Sequence, residues 1–222
     1  MERAYRFDTG LSLLLSSYFE QLGCEGDVAK PNNPAATIIR DRLYNNVPHI
    51  AAVLGSGLGA VGDRLKDPIE IEFGDLSGFP RPTVKGHMGR LLVGDLDGIR
   101  VLILQNRAHV YEGYDLAELA LPVRTLKAAG VEILVLTNAA GSLSSEVGPG
   151  RLMLVTDHIN WSGMNPMIGP NHDEIRPRFF DMGAAYDPGL CKAMRTAARK
   201  SGIDLAEGVY CWCPGPSFET PA

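Results

Sequence analysis

Residues 50–54, Ile-Ala-Ala-Val-Leu, carry no polar side chain and run straight into Gly55-Ser56-Gly57-Leu58-Gly59. A short apolar run bounded by a turn signal reads as a buried strand, and such strands belong to layered α/β folds. The glycines clear side chains from the turn, so backbone N–H groups can converge on an anion beside the Ser56 hydroxyl. The same five residues also make an ordinary tight turn, and alone they do not choose between the two. Their G-x-G-x-G spacing lacks the final offset of the G-x-G-x-x-G dinucleotide fingerprint.

The rest of the chain repeats the pattern. Residues 34–45 read as a helix, with Pro34 at its start and Ile38, Ile39 and Leu43 on one side. Residues 60–65 have helical character, and 69–73 alternate as a half-buried strand. Residues 91–96 and 99–104 flank Asp97-Gly98, a hairpin signal. A helix over 116–129 is closed by Gly130. The nearly all-apolar run 131–136 predicts a central buried strand, and 152–156 another. Residues 159–180 lack periodicity and read as a long loop; 188–201 form a helix and 208–213 a last strand.

Strands alternate with helices, and three of the four most apolar runs end in Gly, Ser, Asn or His. This predicts an α/β fold: a single domain, a central mixed β-sheet flanked by helices, and a site at the strand ends. Residues 1–33 read as an N-terminal extension or helix, and 34–222 as the domain.

Charge and length exclude several classes. A net charge of −5 argues against a sequence-independent nucleic-acid binder, and no run of eighteen apolar residues predicts a membrane span. Residues 1–26 lack the pattern of a signal peptide. Four scattered cysteines do not make a disulfide framework. Cys211 and Cys213 share one strand face and are expected as buried free thiols, which fits a cytoplasmic protein with no metal site.

Chemistry collects after the strands. If residues 105–111 are extended, Arg107, His109 and Tyr111 lie on one face. A guanidinium fork and an imidazole together suit a phosphate, and Tyr111 could pack on a sugar ring. Thr137-Asn138-Ala139-Ala140-Gly141-Ser142 lets a ligand lie against the backbone, or is simply a compact turn. His87 sits between Gly86 and Gly89, a titratable donor if it reaches that phosphate. Phe218 and Glu219 offer an apolar face and a carboxylate acceptor, a pairing that suits a purine.

Gly55 to Gly59, Thr83 to Gly89, Arg107-Ala108-His109-Val110-Tyr111-Glu112-Gly113 and Thr137-Asn138-Ala139-Ala140-Gly141 occur in a fixed order. Asp157-His158-Ile159-Asn160, Asn165-Pro166 and Gly215-Pro216-Ser217-Phe218-Glu219-Thr220 complete the series. With these motifs, residues 34–222 closely resemble the trimeric purine nucleoside phosphorylases. The resemblance implies a cytoplasmic homotrimeric pentosyltransferase of purine salvage. It would cleave purine (2′-deoxy)ribonucleosides such as inosine and guanosine with inorganic phosphate, without metal or organic cofactor, to base and (deoxy)ribose 1-phosphate. It implies that Ser56, His87, Arg107, Ala108, His109 and Ala139 bind phosphate and Tyr111 the ribose. Phe218, Glu219, Ala140 and Gly141 would bind the base, with His109 and Glu219 catalytic.

Two departures from the family pattern stand out. Ile175 takes the place where members present a Phe to a neighbouring subunit. Members also continue for several tens of residues past the position of Ala222, so a C-terminally truncated member is expected. A methylthioadenosine phosphorylase is the nearest rival, usually with Thr in place of Ser56. An inactive remnant that only binds ligand or oligomerises is the alternative outside enzymes.

Overall fold

The computed structural model describes residues 33–83, 89–171 and 177–217. His87, Ile175, Phe218, Glu219 and nearly all of the expected N-terminal extension lie outside the described residues.

Helix α1 (Pro34–Arg42) begins where the Asn33 side chain accepts the Ala36 N–H at 2.9 Å, and Pro34 costs no donor in that first turn. It ends before the expected residue 45, because Tyr44 and Asn45 adopt left-handed φ of 51° and 60°. Helix α2 (Leu116–Ala129) matches the expected bounds, with Gly130 at φ 119° closing it. The two helices are tied by side chains. Asn33 Nδ2 donates to Thr125 Oγ1 at 3.1 Å, and Arg40 Nη1 donates to the Ala128 carbonyl at 2.7 Å.

Five strands form the main sheet: β1 (Ile50–Leu54), β2 (Lys66–Glu72), β3 (Arg90–Leu96), β4 (Ile99–Gln105) and β5 (Ile133–Leu136). Their order is β2-β3-β4-β1-β5. β1 runs parallel to β4 and β5, whereas β3 is antiparallel to β2 and β4, so the sheet is mixed as expected. Asp97 and Gly98, with φ of 54° and 91°, make the left-handed turn that matches the twist of a tight hairpin.

The apolar runs are explained by two cores, one on each face. Ala51, Val53, Leu102 and Leu104 pack with Ile39, Leu43 and Leu126 of the helices. Ile50, Leu54, Val101 and Ile103 face the other way, against Leu58, Val61 and Leu190. Alternate side chains point to opposite faces, so a strand buried on both must be apolar throughout.

Several expectations are corrected. β2 starts at Lys66 rather than 69, and Phe73 leaves the strand to sit buried in a 3-10 turn, Phe73–Asp75. The run 131–136 is not central: β5 is the last strand of the sheet among the described residues, and Leu136 is 66% exposed. The expected strand 152–156 extends to Asn160, so the long loop begins later. β6 (Leu152–Asn160) pairs in parallel with β7 (Leu205–Trp212) as a separate two-stranded sheet, preceded by helix α3 (Pro188–Lys200). Cys211 and Cys213 are exposed, contrary to expectation. No described element covers their face of β7, where Val209 is 56% exposed as well.

Candidate active site at the strand ends

β1 and β4 lie side by side in parallel, with Leu54 opposite Gln105. Their chains therefore leave the sheet together, one into the glycine loop and the other towards Arg107. A cleft opens at this divergence, lined by Leu54, Gly55, Ser56, Pro82, Asn106, Arg107, His109 and Tyr111. A second cavity shares Arg107 and is lined by Val53, Leu136, Thr137, Asn138 and Tyr210.

The glycine loop is locked from the β5 side. Gly55 N–H donates to Thr137 Oγ1 at 2.8 Å, and that hydroxyl donates to the Val53 carbonyl at 2.9 Å. A side chain on Gly55 would bring its Cβ within 2.7 Å of the Thr137 carbonyl oxygen and 2.8 Å of Asn138 Cα. Glycine is obligatory there because both obstacles are backbone. Gly57 has φ 85°, the left-handed conformation that lets the loop double back, and Ser56 is exposed at its crest.

Arg107 joins three chain segments. Its Nη1 donates to the Thr137 carbonyl at 3.0 Å and the Leu54 carbonyl at 3.5 Å. Nε and Nη2 make no hydrogen bond to the described residues, so the outer half of the fork is available to an anion. Burial pulls the Arg107 pKa below the ordinary arginine value, with Tyr210 and Tyr111 opposing, and the group stays cationic.

His109 and Tyr111 stack, ring centroids 4.9 Å apart and planes 11° from parallel. The expected extended backbone stops at His109 (φ −128°), since Val110–Glu112 is a 3-10 turn. The three side chains share the cleft through that turn rather than through strand alternation.

Glu112 organises the turn, a role its sequence position does not disclose. One carboxylate oxygen accepts the His109 N–H at 2.8 Å and faces His109 Nδ1 at 3.0 Å. The other accepts from Thr83 N–H at 2.6 Å and Thr83 Oγ1 at 2.7 Å. Burial of the 3%-exposed side chain opposes ionisation, but the hydrogen bonds from Thr83 and His109 hold its pKa down to about 2. As an acceptor-only carboxylate it keeps the proton on Nδ1, leaving Nε2 as the imidazole's second functional nitrogen.

The cleft thus brings together Ser56, Arg107, His109 and Tyr111. Ala108 is buried and lines neither cavity, so only its backbone could reach a ligand. Ala139, Ala140 and Gly141 are exposed just beyond Asn138, on the rim rather than in either lining. Sequence reasoning assigned no role to the side chains of Thr137, which borders the second cavity, or of Glu112 and Gln105, which line neither cavity and support the site from behind. Among the described residues no group of three or more His, Cys, Asp or Glu side chains could hold a metal ion.

Comparison with known proteins shows the family. A family model described as the phosphorylase superfamily fits residues 49–222. Purine nucleoside phosphorylase 1 of Bacillus subtilis (strain 168) is 45% identical over 188 residues, covering 85% of this chain and 69% of that protein. A crystal structure of a purine nucleoside phosphorylase in complex with ribose-1-phosphate superposes with a TM-score of 0.79 at 38% identity. It covers 85% of this chain and 71% of the solved one. The Schistosoma mansoni purine nucleoside phosphorylase in complex with inosine gives a TM-score of 0.78 at 37% identity, covering 84% and 67%.

Proposed function

The chain belongs to the phosphorylase superfamily, and from that premise we propose that it catalyses phosphorolysis of purine nucleosides to free base and ribose 1-phosphate. The observation that carries this reading is the convergence of Ser56, Arg107, His109 and Tyr111 on one cleft at the ends of parallel strands. Three of the four suit phosphate, and relatives of the same fold hold ribose-1-phosphate and inosine.

In the reaction a phosphate oxygen bonds to C1′ as the C1′–N9 bond breaks, and the electron pair leaves with the purine. Positive charge grows on the sugar, so an anion held beneath C1′ stabilises the transition state. Arg107 supplies a fixed cation with its outer donors, and Ser56 a hydroxyl from the opposite wall. His109, oriented by Glu112, uses Nε2 to take the proton that hydrogen phosphate carries. The departing purine anion gains a proton from solvent and His109 releases its own to solvent, so one proton passes in net from phosphate to base. Tyr111, stacked on His109, forms the sugar side of the cleft. Ala139 N–H completes the anion shell in this proposal, with Ala140 and Gly141 beside the base. His87, Phe218 and Glu219 are assigned on the motif resemblance alone. Inorganic phosphate is a co-substrate, and the mechanism calls on no other cofactor.

The test is hypoxanthine release from inosine with and without inorganic phosphate. Release that depends on phosphate supports the proposal; release without phosphate, or none with it, overturns it. A homotrimer in the cytoplasm is part of the same proposal, supported by the resemblance, and sedimentation velocity tests the assembly.

A further inference from the structure

Behind the glycine loop runs a line of side chains that never touches the cleft. Glu70 on β2 accepts from Arg90 Nη1 at 2.9 and 3.1 Å. Arg90 on β3 donates through Nε to Gln105 Oε1 at 2.7 Å. Gln105 Nε2 then donates to the Gly59 carbonyl at 3.3 Å. Gln105 is the last residue of β4, two positions before Arg107, and Gly59 ends the loop that presents Ser56.

We propose that Gln105 is a positioning residue for the phosphate site, joining the glycine loop to the Arg107 segment. The inference rests on the phosphate reading given above. Its basis is that the two walls of the cleft diverge from Leu54 and Gln105, so contacts beyond the sheet set their spacing. Arg107 Nη1 reaches the Leu54 carbonyl at the root of the glycine loop, and the Gln105 amide bonds the loop at its far end, Gly59. Two glycines border the amide: a Cβ on Gly59 would lie 3.4 Å from Gln105 Nε2 and one on Gly62 3.6 Å from it, both at ordinary contact distance. Arg90 holds the opposite end of the amide, and its bond to Oε1 fixes which end of the group faces the loop. Hydrogen bonds that orient a binding group preserve affinity without touching the ligand.

Two variants separate this role from plain structural support. Gln105→Glu keeps an acceptor for Arg90 but has no donor for the Gly59 carbonyl. Gln105→Met fills a similar length with neither. Titration calorimetry with inorganic phosphate, KM for phosphate and for inosine, and the thermal midpoint are measured on each. Both variants are expected to weaken phosphate about tenfold, the worth of one hydrogen bond. The KM for inosine should stay within about twofold, and Gln105→Glu should melt like the wild type. Equal phosphate affinity in wild type and Gln105→Glu would overturn the role of Gln105 while leaving the proposed function standing. So would a loss confined to Gln105→Met that tracks a lowered midpoint. A wild-type chain with no phosphate affinity would overturn both.

Discussion

Glu112 shows how one carboxylate can serve both fold and chemistry. Its oxygens collect four hydrogen-bond donors from Thr83 and His109, two from each residue. Its folded pKa of about 2 lies below the ordinary 4.5. The stability it contributes is therefore complete above the ordinary value and is lost as pH falls through that interval towards the folded one. Glu112→Gln should be less stable at neutral pH by about 1–3 kcal/mol, since the amide cannot accept at both oxygens. Between pH 4.5 and 2 the wild type should lose stability relative to the variant, closing that gap. Urea unfolding across the interval measures this, and curves that stay parallel would contradict it. Ser56, Arg107, His109 and Tyr111 were legible in the sequence because each stands in a compact motif after an apolar run. The bonds of Thr137 to Gly55, Gln105 to Gly59 and Glu112 to Thr83 instead span 82, 46 and 29 residues of chain, and local spacing carries no trace of such contacts; only the Glu112 bonds to His109 are local.

The elements were legible where both ends are written in local chemistry. Helix α2 has Asp115 before it, whose N–H is bonded by the Glu118 side chain at 2.9 Å, and Gly130 after it. The β3–β4 hairpin is announced by Asp97-Gly98. What periodicity cannot say is which strand lies at an edge. β5 is as apolar as β1, yet among the described residues it has one partner in the sheet where β1 has two. The separate pairing of β6 with β7 was equally hidden, because parallel partners sit far apart in sequence. The helix layer depends on Asn33, which caps α1 and bonds Thr125, a fully buried side chain of α2. Asn33→Ala removes the cap and leaves the buried hydroxyl without that donor. It should cost about 1–3 kcal/mol by denaturant unfolding, with KM for phosphate unchanged because the residue is remote from the cleft.

At the scale of the whole molecule, sheet and site are not separable parts. The chain spans about 69% of the Bacillus subtilis relative, and the family match begins at residue 49, next to β1. The ends of β1 and β4 supply most of the described cleft lining, Pro82 adds to it, and β5 and Tyr210 of β7 border the adjoining cavity. Arg107 is the clasp: the guanidinium that lines the cleft also holds the Leu54 and Thr137 carbonyls. With phosphate bound there, as proposed above, occupancy and local opening would be coupled. The ligand would favour the conformation in which the guanidinium is in place, so opening of those strand ends would also give it up. Amide hydrogen exchange should report it: saturating phosphate should slow exchange at Thr137, bonded to the Val53 carbonyl, and at Leu58, bonded to Gly55. Amides of β3, remote from the clasp, should exchange at an unchanged rate. The sheet would then register the arrival of substrate as a gain in its own protection from solvent.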